Sequence, residues 1–164
     1  MRNLIVVCSV FCALTFSAIA SNFNYATGFA AVNEMSSKAL INAMERINDR
    51  IYAVGEHGII LYSDDLGDNW TQSESVPFTN TLTDIDCISK EECWATGHDA
   101  TILHTNDSGK TWIKQYEDID FDAPLLSIHM FDNGEGIAIG AFALSLRTTD
   151  GGNSWGYLFM DDDE

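Results

Sequence analysis

Apolar and polar residues alternate through Leu82-Thr83-Asp84-Ile85-Asp86-Cys87-Ile88, the two-residue period of a strand with one buried face. Short apolar segments of this kind recur along the chain, separated by Asn, Asp and Gly clusters that suit tight turns. Only Lys38 to Arg46 has a helical composition, since Ala, Leu, Met, Glu and Arg all favour helix. Its place in a longer period predicts a strand instead.

That longer period is marked by a motif that occurs three times. Residues 63–70, 105–112 and 148–155 all read Ser/Thr-x-Asp-x-Gly-x-x-Trp, an Asp-box. The copies are Ser63, Asp65, Gly67 and Trp70; Thr105, Asp107, Gly109 and Trp112; and Thr148, Asp150, Gly152 and Trp155. Their tryptophans lie 42 and 43 residues apart, and about 40–45 residues is the span of one four-stranded propeller blade. Counting back from each tryptophan without gaps aligns Leu40 with Leu82 and Leu125, and Ala43 with Ile85 and Ile128. It also aligns Ala53-Val54-Gly55, Ala95-Thr96-Gly97 and Ala138-Ile139-Gly140, then Leu61, Leu103 and Leu146.

The expected fold is all-β, a partial β-propeller of about three four-stranded blades carrying Asp-box turns. The blades should span about 38–76, 80–118 and 123–160 within a 38–160 array, after a lead-in at 21–37 and before an acidic tail at 161–164. The strands fall at 40–46, 50–55, 58–63 and 69–73; at 82–88, 92–97, 100–105 and 111–116; and at 125–131, 135–140, 143–148 and 154–159. The Gly that ends each second strand is expected to give the turn its freedom of backbone angle. Closed propellers carry about four to eight blades, so three units imply one of three arrangements. The chain is a truncated or partial propeller, two copies close a six-bladed ring, or a partner covers the bare faces.

The first 20 residues read as a cleaved export signal: Arg2, an apolar run from Leu4 to Phe16, and Ala18-Ile19-Ala20 before Ser21. The run is shorter than the roughly 20 residues that span a bilayer, so no membrane insertion is expected after cleavage. Export places the mature protein in the periplasm or outside the cell, where Cys87 and Cys93 form an even pair in an oxidising setting. Flanking five residues of one hairpin, they predict a cross-strand disulfide rather than a redox site, because Lys90, Glu91 and Glu92 give no electropositive surroundings.

The whole chain has 25 acidic and 8 basic residues, a net charge of −17, and the mature chain is more acidic still. That balance argues against nucleic acid, which is gripped by clustered Lys and Arg. The Asp-box carboxylates suit hydrogen bonds to turn amides, and one carboxylate on each of three distant turns makes no metal site. The acidic run 117–122 reads as a solvated connection between blades. No cofactor motif or catalytic constellation is present. His57 and His98 lie near equivalent turns of successive blades and are expected on one rim. With Glu56, Asp99 and Phe142 they form the candidate contact surface.

The stretch 53–70, with its counterparts 95–112 and 138–155, resembles the BNR/Asp-box repeats of the photosystem II stability/assembly factor-like propeller family. The resemblance covers residues 38 to 158 and implies a non-enzymatic assembly or scaffold protein. In photosynthetic members a basic patch is associated with partner binding. Here Lys38, Arg46, Arg50, Lys90, Lys110, Lys114 and Arg147 are the mature chain's basic residues, and they do not cluster in sequence. Asp-boxes also mark sialidases, whose site needs an arginine triad, a Tyr nucleophile with a Glu partner, and an acid/base Asp. Arg46 and Arg50 share one hairpin and Arg147 abuts an Asp-box, which places them poorly to converge. The reading is an exported binding or assembly-scaffold module for a cell-envelope protein. The alternatives are a sialidase-like glycoside hydrolase fragment and a truncated propeller without independent function.

Overall fold

The structure, a computed structural model, describes residues 28–32 and 36–158; the export-signal reading of residues 1–20 and the acidic tail at 161–164 fall outside that range. The protein is all-β, built of three antiparallel four-stranded sheets. The first holds β1 (Ile41–Ile47), β2 (Arg50–Gly55), β3 (Ile60–Ser63) and β4 (Thr71–Gln72); the second holds β5 (Leu82–Cys87), β6 (Cys93–Gly97), β7 (Ile102–Thr105) and β8 (Ile113–Tyr116). The third holds β9 (Leu125–Met130), β10 (Gly136–Gly140), β11 (Ser145–Thr148) and β12 (Gly156–Tyr157). Each sheet is a meander in chain order. The helix-favouring stretch around Ala43 is strand, because its apolar side chains are used by pairing and packing rather than by local propensity.

The gapless alignment fails in the first blade. Its β1–β2 hairpin is one residue shorter, so Arg46 pairs with Ile51 where Cys87 pairs with Cys93 and Met130 with Gly136. Ile41 and Met44, not Leu40 and Ala43, therefore stand opposite Gly55 and Ala53, the places held by Leu82 and Ile85 and by Leu125 and Ile128. A slip of one residue exchanges the two faces of a strand. Leu40 is 63% exposed as a result, while Ala43 and Ile47 pack toward the second blade.

The core lies between blades. Tyr52, Val54 and Ile60 of the first meet Leu82, Ile85 and Cys87 of the second, closed over by Val76 and Phe78 from the crossing segment. Trp94 and Ile102 of the second meet Leu125, Ile128 and Met130 of the third, with Ala123 in the crossing. At roughly 1.5–3 kcal/mol for each large apolar side chain buried, these two contacts dominate what holds the array together.

The glycines ending the second strands have a different cause from the one expected. Gly55 and Gly140 are extended, at φ −166° and −146°, so no unusual backbone angle calls for glycine. What excludes a side chain is the neighbouring strand: a Cβ would overlap the carbonyl of Leu40 at Gly55 and of Pro124 at Gly140, and would lie 2.6 Å from that of Thr81 at Gly97. Those carbonyls accept the amides of Glu56, Ala141 and His98, which pins each turn to the strand beside it.

Candidate binding surface

The turns joining second to third strands lie on one edge of the array, together with the crossings between blades. Each contains two successive left-handed residues: His57-Gly58 (φ 58° and 70°), Asp99-Ala100 (56° and 47°) and Phe142-Ala143 (56° and 62°). The left-handed region costs a residue with a Cβ roughly 1–2 kcal/mol, so the fold holds these side chains in place against local preference. His57, Asp99 and Phe142 occupy one equivalent position; His98 shares the edge but corresponds to Glu56 and Ala141.

The three turns differ in how far their side chains are already engaged. Glu56 accepts the Leu40 amide through Oε1 at 3.0 Å and faces His57 across 3.9 Å. Asp99 accepts from Asn80 Nδ2 at 3.3 Å. His98 is exposed, and Phe142 stands 82% exposed. This edge thus presents an acidic, a histidine-bearing and an aromatic turn on a common backbone.

The Asp-boxes lie on the opposite edge and are internally satisfied. Ser63 Oγ accepts the Gly67 amide at 2.9 Å and donates to Asp65 Oδ1 at 2.8 Å; Asp65 accepts the Asn69 amide at 2.8 Å and Asn69 Nδ2 at 2.6 Å. Thr105 and Asp107 treat Gly109 and Thr111 the same way, as do Thr148 and Asp150 toward Gly152 and Ser154. Asn69, whose side chain donates first, then its amide and Ser63, holds the Asp65 carboxyl below its ordinary value. Ser154 does the same for Asp150. At Asp107 burial pushes upward, but hydrogen bonds from Thr111 and Thr105 outweigh it. The position before each tryptophan escaped sequence reasoning, although Asn, Thr and Ser there all carry a short donor side chain.

The tryptophans differ. Trp112 is buried and its Nε1 donates to Ser73 Oγ at 3.2 Å, while Ser73 Oγ donates to the Gly109 carbonyl at 2.6 Å. Trp70 and Trp155 are half-buried, and the Trp155 Nε1 has no acceptor among the described residues. Cys87 and Cys93 are joined by a disulfide between β5 and β6.

Two of the basic residues do come together. Arg50 is buried, with Nε and Nη2 on the two Asp64 oxygens at 2.9 and 2.6 Å, Nη1 on the Ser108 carbonyl, and its plane 4.4 Å from the Tyr62 ring centroid. Lys90 Nζ reaches Asp64 at 3.0 Å and Asp49 at 3.8 Å, so two carboxylates answer the two cations. Arg50 and then Lys90 hold the Asp64 carboxyl far below its usual range. The distance in sequence hid this cluster, and it is a neutralised joint between blades rather than an exposed basic patch. Arg46 donates to the Asn48 carbonyl and Arg147 to Glu135, so the three arginines point to separate partners.

On the Asp-box edge a groove of about 360 Å³ runs between the hairpins of the second and third blades, lined by Asp86, Ile88, His129, Met130 and Phe131 among others. His129 meets the Phe131 ring edge-on at 4.7 Å and lies 3.4 Å from Asp86. Beside it, Asp84 accepts the Ile128 amide and Asp86 the Met130 amide, so blade-two carboxylates cap the edge of β9. Among the described residues no three His, Cys, Asp or Glu side chains are grouped as a metal ion would require.

A family model described as photosynthesis system II assembly factor YCF48 matches residues 71–163. Among curated proteins, none matches the sequence. Among solved structures, YCF48 bound to D1 peptide is similar at 24% identity and a TM-score of 0.62, over 73% of this chain and 40% of that one. YCF48 from Cyanidioschyzon merolae is similar at 18% identity and a TM-score of 0.61, over 73% and 37%. An ancestral GH74 enzyme shares the fold at 13% identity and a TM-score of 0.57, over 73% and 20%. The chain thus spans about two fifths or less of the length of these structures.

Proposed function

The chain belongs to the photosynthesis system II assembly factor YCF48 family, and from that premise we propose that it is a non-enzymatic protein-binding module that assists assembly of a partner in the cell envelope. The observation that carries the reading is the edge of paired left-handed turns. One backbone geometry, repeated three times, presents His57, Asp99 and Phe142 at the same place with different chemistry. Fixed backbone with variable side chains is what a recognition surface needs, because little ordering entropy remains to be lost on binding. A relative captured with a peptide, YCF48 bound to D1 peptide, supports a polypeptide as the kind of partner. The separate engagement of Arg46, Arg50 and Arg147 supports a role without glycoside chemistry.

The export reading rests on the N-terminal sequence, and it places the partner outside the cytoplasm. The test uses the native host, with a photo-crosslinking residue replacing His98 or Phe142 in the full chain, and Asn153 on the opposite edge as control. The expected result is an adduct with one envelope protein from positions 98 and 142, distinct in mass from the chain's own dimer, and none from 153. Equal labelling from all three positions, or adducts only from 153, would overturn the reading. N-terminal sequencing of the recovered chain checks for a start at Ser21.

A further inference from the structure

The first and third blades each present a face that no other blade covers among the described residues, although on the first Ala53, Ile59 and Leu61 are already packed under Ala39, Ile41 and Trp70 of that blade. The two faces are opposite halves of a contact the chain already makes twice. In that contact the second and third strands of one blade meet the first strand of the next. Tyr52, Val54 and Ile60 meet Leu82, Ile85 and Cys87; then Trp94 and Ile102 meet Leu125, Ile128 and Met130. By register, the third blade offers the first half again through Ile137 and Ile139, which pair in β10 as Tyr52 and Val54 do in β2. The first blade offers the second half through Ile41 and Met44, in the places of Leu82 and Ile85. Ile139 is 51% and Met44 65% exposed, whereas Val54, Leu82 and Ile85 are buried.

The polar part of the contact is repeated too. The second left-handed residue of each turn donates its amide to the segment ahead of the next blade, Gly58 to the Asn80 carbonyl at 2.7 Å and Ala100 to that of Ala123 at 2.8 Å. Ala143 has the same backbone at φ 62°, and among the described residues no carbonyl of another blade receives its amide. Ala39 stands ahead of β1 where Asn80 stands ahead of β5, by the register that sets Leu40 beside Thr81 as the acceptors of Glu56 and His98.

We infer that a second copy of this chain covers these faces, with blade three of each protomer seated on blade one of its partner. The contact is heterologous, and it closes on itself when the blade-to-blade rotation completes a turn. Two copies supply six blades, inside the range of about four to eight found in closed propellers. Closure buries the apolar faces that would otherwise lie in water. The inference does not depend on the partner-binding reading, since its apolar contact lies on the sheet faces carrying Met44 and Ile139, although the Phe142-Ala143 turn borders both surfaces.

The test is the solution mass of the purified chain by light scattering, alone and with Met44→Glu or Ile139→Glu. Both side chains are exposed in the single chain, so the variants should keep the wild-type circular dichroism and the disulfide. The expected result is a dimer for the wild type and, for each variant, association weakened by about a hundredfold or more. Mixing the two variants should restore a dimer, because that pair retains one unaltered contact. A wild-type monomer at high micromolar concentration overturns the inference, and would mean that another protein or the chain's own remaining residues cover the faces. So does a dimer indifferent to both variants, sensitive to only one, or replaced by an open ladder of larger species.

Discussion

The Tyr52 ring of the first blade lies against the α-carbon of Gly109 in the second blade's Asp-box, where an added Cβ would stand 2.5 Å from Tyr52 Cε1. Trp94 repeats the relation with Gly152, whose Cβ would stand 2.9 Å from the indole Nε1. The motif's glycine thus serves the blade before it as well as its own turn. Gly109 is left-handed at φ 75°, and Gly67 at φ 96° has only ordinary contacts around the site of a Cβ. Gly109→Ala should therefore lose about 3 kcal/mol, backbone strain plus overpacking, and Gly67→Ala about 1 kcal/mol, from backbone strain alone. Urea denaturation of the two variants checks this; equal losses would mean that the Tyr52 contact gives way.

The disulfide closes a loop of five residues between paired positions of β5 and β6. In the chain-entropy account so short a loop contributes about 2 kcal/mol by restricting the unfolded chain. Cys87 and Cys93 are buried at 8% and 0% exposure in the core with Ile47, Leu82 and Ile85, and β5 and β6 also pair from Leu82–Gly97 to Asp86–Trp94, which holds the hairpin's register beside the bond. The paired replacement Cys87→Ala with Cys93→Ala should lower stability by about that amount and leave circular dichroism unchanged. Loss of the folded state would show that the bridge holds the inter-blade core itself.

Much of this architecture was legible because repetition averages over local ambiguity. Three Asp-boxes fixed the blade period, and that period overrode the helical composition around Ala43. The period could not show that the first hairpin lacks one residue, since Leu40 and Ile41, or Ala43 and Met44, are equally apolar choices. Only pairing distinguishes them. The glycines of the second strands were read correctly as special and assigned the wrong cause, because a carbonyl pressed on a Cα leaves no mark in sequence. The joint combines Arg50 and Asp64, neighbours across β2 and β3 one step beyond the Ile51–Ser63 pair, with Lys90, 26 positions further on, which reaches them only once the second blade packs. The turn residues name a candidate surface, yet the equivalence of His57 with Asp99 rather than His98 needed the backbone angles.

Two sets of carboxylates set opposite pH trends. The Asp-box carboxyls are held below their ordinary values by donors from the residue before each tryptophan. Their contribution is complete above the unfolded value of roughly 4 and is lost as pH falls through the lower folded values. Glu45 is pushed up, by burial first and then by Asp86 and Asp84. Its folded form binds a proton more tightly, so it favours folding at low pH and detracts from it as pH rises past the folded value. Asp107→Asn should thus flatten the loss of stability on acidification. Glu45→Gln should add a few tenths of a kcal/mol at neutral pH, the small size reflecting solvent screening, and the gain should vanish below about pH 4. Urea midpoints across the acid range decide both, and a Glu45→Gln gain that persists in acid would place its origin in packing.

Arg50 is the side chain on which the first two blades converge away from their apolar contact. Its guanidinium is buried, forked on Asp64, bonded to the Ser108 carbonyl of the second blade, and stacked on Tyr62. Asp64 is itself about half exposed and shared with Lys90, so part of its charge is already solvated. Removing Arg50 leaves a carbonyl and a carboxylate short of a donor and a void beside Tyr62. That sets Arg50→Ala at about 2–3 kcal/mol, below the full cost of breaking a wholly buried pair. Arg147 makes a single exposed bond to Glu135 at 3.0 Å, and Arg147→Ala should cost no more than about 0.5 kcal/mol. Arg50→Lys should recover only part of the loss, because an ammonium can neither fork on a carboxylate nor stack on a ring. A lysine variant as stable as wild type would reduce the joint to simple charge attraction, and the ordering of the three variants by denaturation decides between the two.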